Sequence, residues 1–219
     1  MQNFAVIFDM DGVIVDTNPY HLIAWREFLK RYNIEVTDES LRKNMFGSFN
    51  STILKFYFER ELSPEEIAAL GFEKEALFRE IYEAEAVPMN GLMPFLEDLK
   101  KHGVKTGIAT SAPFENLELT LRKIPLADKM ESMLSERDVL RHKPNPDVYL
   151  KSAENLGMPP ERCIVFEDSV SGVKAGLAAG AKVVGVLSTY TKEELPPCDA
   201  YIIDYQGLTI DFVKNLMRK

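Results

Sequence analysis

The sequence predicts a doubly wound α/β protein, a parallel sheet covered by helices on both faces, with an all-helical segment inserted after the first strand. Three observations predict it. Apolar runs of strand length recur at 4–8 (FAVIF), 104–109 (VKTGIA), 163–166 (CIVF), 182–187 (KVVGVL) and 200–203 (AYII). The segments between most of them read as helices, and strands alternating with helices make a parallel sheet. The long interval from 17 to 87 holds no convincing strand but several helical patterns.

Taken in order, the first strand runs straight into acids in "FAVIFDMDGVIVD", where Asp9, Asp11 and Asp16 surround a single glycine. Helices are then expected at 19–32, 38–45, 50–60 and 63–86. The last of these opens Ser63-Pro64-Glu65-Glu66, an N-cap followed by proline and first-turn acids. Hinges are expected near Asp16–Pro19 and Pro88–Gly91, which divides the chain into a core of 1–16 and 88–219 and an insert of 17–87. The second strand gives way to Thr110-Ser111 and the third to Glu167-Asp168, followed by a helix over 170–179. Between these strands, "RHKPNPDVYL" places Lys143 just ahead of a helix whose start is marked by Pro144 and Pro146.

Composition bounds the function classes. The chain has 219 residues, 46% hydrophobic and 27% charged, with a net charge of −8. That balance argues against duplex nucleic acid or an anionic membrane as partner, because both require a basic face. A small anionic substrate fits only where acids bind a divalent cation. Two cysteines and an apolar opening strand suggest neither a disulfide framework nor secretion, so the cytoplasm is the expected compartment. No apolar run reaches the roughly 18 residues that span a bilayer, and no unexplained apolar stripe stands out, so a monomer is expected.

Ligands in an open α/β sheet bind outside the carboxyl ends of the strands, so the stretches at 9–11, 110–111 and 167–168 are expected to converge. Each residue alone has a plain structural reading. Asp168 or Ser169 could cap the helix at 170, Thr110 or Ser111 could close a turn, Lys143 could be a solvated surface lysine, and Asp16 a cap or hinge. Together they form a chemically sensible set. Asp9 and Asp168 offer hard oxygens suited to Mg²⁺. The Thr110 hydroxyl, the Ser111 amide at a helix N-terminus and the Lys143 ammonium could hold the oxygens of a phosphoryl group. Asp9 is the natural nucleophile for an aspartyl-phosphate. Asp11, two residues on, could protonate the leaving oxygen and later deprotonate water, which requires its pKa to be raised while Asp9 stays ionised.

At these residues the sequence resembles the haloacid dehalogenase superfamily, in its branch of sugar phosphatases and β-phosphoglucomutases. The similarity lies in "FDMDGVIVDT", "IATSAP", "HKPNPDVY" and "FEDSVSGVKAGLAAG", in that order. The resemblance implies a Rossmann-like core with a helical cap at 17–87, Mg²⁺ dependence, and phosphoric monoester hydrolysis. It implies Asp9 as nucleophile and metal ligand, and Asp11 as acid/base and, through its carbonyl, a metal ligand. It further implies Thr110 and Lys143 as phosphate holders, Asp168 as metal ligand, and Glu167 as a metal or metal-water contact. In the insert, Thr17, His21 and Trp25 match residues of the mutases; His21 could contact substrate or the acid/base, or pack at the helix surface near the hinge. With Asn50 and Lys74, Thr17 and His21 are the candidate substrate residues. Those mutases hold a second phosphate with an arginine where "GSFNST", residues 47–52, places Asn50, and an asparagine cannot replace a bidentate guanidinium. The expected activity is hydrolysis of a small sugar or polyol phosphate. A β-phosphoglucomutase is the alternative, followed by a pyrophosphatase and, from another class, a non-catalytic phospho-acceptor module.

Overall fold

The computed structural model describes residues 3–45 and 48–218. Six parallel strands form one sheet in the order β3-β2-β1-β4-β5-β6, comprising β1 (Ala5–Phe8), β2 (Lys105–Ala109), β3 (Ser132–Leu134), β4 (Cys163–Glu167), β5 (Lys182–Val186) and β6 (Ala200–Ile202). The order reverses at β1, which pairs with β2 on one side and β4 on the other, so the crevice falls at the carboxyl ends of these three strands. Nine α-helices complete the described chain. They are α1 (Asn18–Arg31), α2 (Asp38–Met45), α3 (Asn50–Phe58), α4 (Pro64–Tyr82), α5 (Leu92–Lys101), α6 (Phe114–Lys123), α7 (Asp147–Asn155), α8 (Val170–Ala178) and α9 (Ile210–Arg218).

The two faces of the sheet follow from strand alternation. Ala5, Ile7 and Val165 pack into one apolar cluster with Val148 and Tyr149 of α7 and Val173 of α8. Phe8 and Phe166 turn the other way. Phe8 stacks on Phe166 at 5.1 Å and meets Phe95 of α5 edge-on, and Tyr205, ahead of α9, and Phe212, on α9, extend the same aromatic group. In register, Phe8 sits opposite Phe166, so the next pair along the ladder is Asp9 opposite Glu167. The Asp9 amide donates to the Phe166 carbonyl at 3.0 Å and carries the ladder into the first acid. Alternation therefore turns Asp9 and Glu167 toward α7 and α8.

The chain divides into two compact units, Met1–Asp16 with Val87–Lys219, and Thr17–Ala86. Within the second, α1 to α4 share a core of Trp25, Phe28, Leu29, Leu41, Ile53, Leu54 and Leu77. Ser63 caps α4 with a reciprocal pair of bonds, the Glu66 amide to Ser63 Oγ at 3.2 Å and the Ser63 amide to Glu66 Oε2 at 2.9 Å. Two helices are shorter than their patterns: α3 ends at Phe58 because Glu59 turns left-handed, and α4 ends at Tyr82. The strand β3 has no counterpart among the expected ones. It is three residues long with an exposed Met133, too short to show a period.

Candidate active site

Lys143 organises the carboxyl edge of the sheet. Its ammonium, almost fully buried, donates to Asp9 Oδ1 at 2.7 Å, to Glu167 Oε1 at 2.8 Å and to the Ala109 carbonyl at 3.0 Å. One side chain thus ties together the ends of β1, β2 and β4. The surface-lysine reading of Lys143 fails, because the segment leading into α7 passes over the face to which Asp9 and Glu167 turn.

Glu167 is fully buried and receives four bonds. Oε1 accepts from Lys143 and from the Tyr149 hydroxyl at 2.8 Å, and Oε2 accepts from the Ser169 amide and hydroxyl, each at 3.0 Å. Ser169 Oγ in turn accepts from the Gly172 amide at 3.0 Å, so the cap of α8 is Ser169 and not Asp168. Asp168 is left to the site, where the Thr189 hydroxyl donates to its Oδ2. Two glycines make room for these carboxylates. A Cβ on Gly172 would lie inside the Glu167 carboxylate, and one on Gly12, whose φ is +71°, inside that of Asp168.

Asp9, Glu167 and Asp168 present carboxylate oxygens that all lie within 4.8 Å of one another, and all three are buried. Burial pushes the Asp9 carboxyl up to about 7 against the pull of Lys143, and burial with Glu167 and Asp9 holds Asp168 well above the usual carboxylate range. Burial alone would lower the Lys143 ammonium, but Asp9 and Glu167 outweigh it and hold it above its ordinary value. Fully ionised, the three carboxylates against one ammonium would carry a formal charge of −2 in a buried site, and the raised Asp9 and Asp168 carboxyls are the response to it. A divalent cation with oxygen ligands balances that charge, so the donor set fits Mg²⁺.

The remaining candidates of the sheet edge are placed as follows. Thr110 is buried, its amide donates to the Leu134 carbonyl at 3.0 Å, and its hydroxyl accepts from the Ala112 amide at 3.0 Å, a local turn one residue beyond the Ala109 carbonyl that Lys143 holds. Ser111 is not at a helix N-terminus: α6 begins at Phe114 after Pro113, so Ser111 lies in the turn that precedes the helix. Asp11 is half-buried in a bridge to Val15, close enough to push Asp9 and Asp168 upward, while its carboxylate lies outside the three-acid cluster. Tyr149, Ser188 and Thr189 were not among the expected residues. Ser188 donates to the Gly12 carbonyl at 2.5 Å, and with Thr189 it follows β5 as the polar pairs follow the other strands.

In the helical unit, three of the four candidates form one network. Lys74, nearly fully buried, donates to His21 Nδ1 and to Glu75 Oε1, each at 2.8 Å, and Asn50 Nδ2 donates to the same Glu75 oxygen at 2.8 Å. The ammonium lies 5.1 Å from the Trp25 ring centre, and His21 stacks on Phe78 at 3.8 Å. Burial, then the facing Lys74 ammonium, lowers the His21 imidazole to about 3, so Nδ1 accepts. Thr17 is buried where α1 begins, and its carbonyl accepts from the amides of Tyr20 and His21. Of "GSFNST", Gly47 lies outside the described residues. Glu75, which joins Lys74 to Asn50, was not expected.

A strand end closing on a buried acid, the acid pair Glu167 and Asp168 where β4 ends, and a buried lysine on a doubly wound sheet point to a hydrolase of one kind. Residues 6–186 match the model of the haloacid dehalogenase-like hydrolases. The chain belongs to that family and is an enzyme. It is 34% identical over 188 residues to the phosphorylated carbohydrates phosphatase of Thermotoga maritima, covering 84% of this chain and 85% of the relative. It is 29% identical over 191 residues to the β-phosphoglucomutase of Bacillus subtilis, covering 83% and 82%. Among solved structures, a family IA hydrolase of Entamoeba histolytica superposes with a TM-score of 0.93 at 28% identity, over 99% of this chain and 100% of that one. No described helix is long and apolar enough to cross a membrane.

Proposed function

We propose that this chain is a Mg²⁺-dependent phosphatase that hydrolyses small sugar or polyol phosphates through an aspartyl-phosphate on Asp9. Asp9, Asp168 and Glu167, with the carbonyl of Asp11, would hold the ion, which when bound neutralises the acids and draws charge from the phosphate oxygens. An Asp9 oxygen attacks phosphorus and the ester P–O bond breaks, with Asp11 giving its proton to the leaving oxygen. Water then attacks the aspartyl-phosphate, Asp11 takes its proton, the bond between phosphorus and the Asp9 oxygen breaks, and inorganic phosphate leaves. Thr110, Ser111 and Lys143 hold the non-bridging oxygens. The helical unit acts as a cap that chooses the leaving group, with Thr17, His21, Asn50 and Lys74 its candidate contacts. The enzyme works as a monomer and needs neither nucleic acid nor membrane.

The observation that carries this reading is the Lys143 ammonium, bonded at once to Asp9, Glu167 and the end of β2. A phosphate-release screen over small phosphoesters, with Mg²⁺ and with EDTA, tests it. Mg²⁺-dependent release from sugar or polyol phosphates is expected, falling at least about 10³-fold in Asp9→Asn. Full activity in that variant removes Asp9 as nucleophile. A mutase needs a cation for the second phosphate, and Asn50 is instead bonded to the Glu75 carboxylate. Release of phosphate from β-glucose 1-phosphate is therefore expected to outrun its isomerisation, and the reverse order favours the mutase.

A further inference from the structure

The three hydrogens of the Lys143 ammonium are all taken, by Asp9 at 2.7 Å, Glu167 at 2.8 Å and the Ala109 carbonyl at 3.0 Å. A lysine so placed cannot donate to a phosphoryl oxygen without releasing one of them. The acceptor that keeps a strong donor when Lys143 leaves is Glu167 Oε1, because the Tyr149 hydroxyl donates to the same atom at 2.8 Å. Tyr149 is built for constancy. It sits in the first turn of α7, its ring is buried in the core beneath the sheet edge, and it has two side-chain torsions where Lys143 has four. The Lys143 nitrogen lies 4.8 Å from the ring centre, so the face of the same residue also receives the ammonium.

We infer that Tyr149 is a positioning residue, the standing donor that keeps the Glu167 carboxylate oriented toward the cation while Lys143 exchanges its bond to Glu167 for one to the phosphoryl group. The inference rests on the proposed metal site and phosphate-holding lysine. Phenylalanine in place of Tyr149 keeps the ring, its packing and its contact with the ammonium, and removes one hydroxyl. Glu167 would then depend on Lys143 alone at Oε1, and the cation and the phosphoryl group would compete for the lysine's position.

Calorimetric titration of Mg²⁺ into the full chain tests this without turnover. Tyr149→Phe is expected to weaken Mg²⁺ binding about 10- to 100-fold, in keeping with one lost bond to a carboxylate. In a Glu167→Gln background the same change is expected to alter Mg²⁺ affinity less than about twofold, because the two residues act through one contact. Affinity within twofold of the parent, or an equal loss in both backgrounds, overturns the inference. A merely structural hydroxyl would give the equal loss. If Tyr149→Phe fails to fold, 3-fluorotyrosine placed at position 149 keeps the question open to measurement. Its fluorine resonance is expected to move with Mg²⁺ along the calorimetric binding curve, and a resonance indifferent to Mg²⁺ overturns the inference. A parent chain that binds Mg²⁺ yet hydrolyses no phosphoester counts against the proposed function and leaves the Tyr149 test standing, whereas one that binds no Mg²⁺ overturns both.

Discussion

The protein buries two lysines against carboxylates, one in each unit, and the two clusters differ in charge balance. In the helical unit Lys74 faces one carboxylate, Glu75, with neutral His21 and Asn50 completing the network. In the sheet unit Lys143 faces two carboxylates, Asp9 and Glu167, with a third, Asp168, beside them. The first cluster matches one ammonium to one carboxylate. The second carries more acids than cations at a place where burial makes charge expensive, and either protons on its raised carboxyls or a bound cation relieves it. Charge balance, more than burial or hydrogen-bond number, separates the two clusters.

Breaking each lysine in turn sharpens the contrast. Lys143→Met is expected to lower phosphate release at least about 10³-fold, because the proposed mechanism brings that charge to the phosphoryl oxygens; release within tenfold of the parent would contradict this. Lys74→Met removes the ammonium that balances Glu75 and is expected to cost about 3–5 kcal/mol in chemical denaturation, with most of the loss recovered in Lys74→Met/Glu75→Leu. Equal stability of the single and double variants would deny the pairing. Mg²⁺ at about 100 times its dissociation constant is expected to stabilise the parent by about 2.7 kcal/mol. Lys74→Met, whose three metal-site acids are untouched, is expected to gain that same increment, and Lys143→Met, whose acids have lost their ammonium, a larger one, read by thermal unfolding with Mg²⁺ against EDTA.

A smaller effect comes from His21. Its imidazole is lowered from 6.5 to about 3 in the fold by burial and by Lys74, with Glu75 opposing. The unfolded chain therefore binds a proton that the folded chain refuses, and stability is lost as pH falls below about 6.5. At pH 5 the loss is about 2 kcal/mol. Denaturant unfolding at pH 7.5 and 5.0 checks it: the drop for His21→Gln is expected to be smaller than that of the parent by this amount, since carboxylates elsewhere affect both alike. Equal drops would show that His21 is protonated in the fold.

Most of the sheet was legible because buried parallel strands read as uninterrupted apolar runs, while β3, with Ser132 and an exposed Met133 in three residues, offers no such run. The site was legible wherever a strand ends in acids or hydroxyls, since the order of strands alone decides where those ends meet. The same rule applied to β5 would have found Ser188 and Thr189. Tyr149 escaped because an aromatic in the first turn of an apolar helix reads as core, which its ring is; only its hydroxyl belongs to the site. Glu75 escaped for a geometric reason. Adjacent residues on a helix point apart, yet here the Lys74 stem curls back to its neighbour, and Asn50 reaches the same oxygen from α3.

One small feature of the sheet unit reaches beyond this chain. Val15 pairs with Pro88 in an isolated antiparallel bridge, and the Met89 amide donates to the Ile14 carbonyl at 2.8 Å. The two places where the polypeptide leaves and re-enters the sheet unit are thus stitched side by side, whatever lies between them. A graft of another excursion, long or short, onto that stitch asks nothing of the strands below, so catalysis and selectivity are free to evolve on separate schedules.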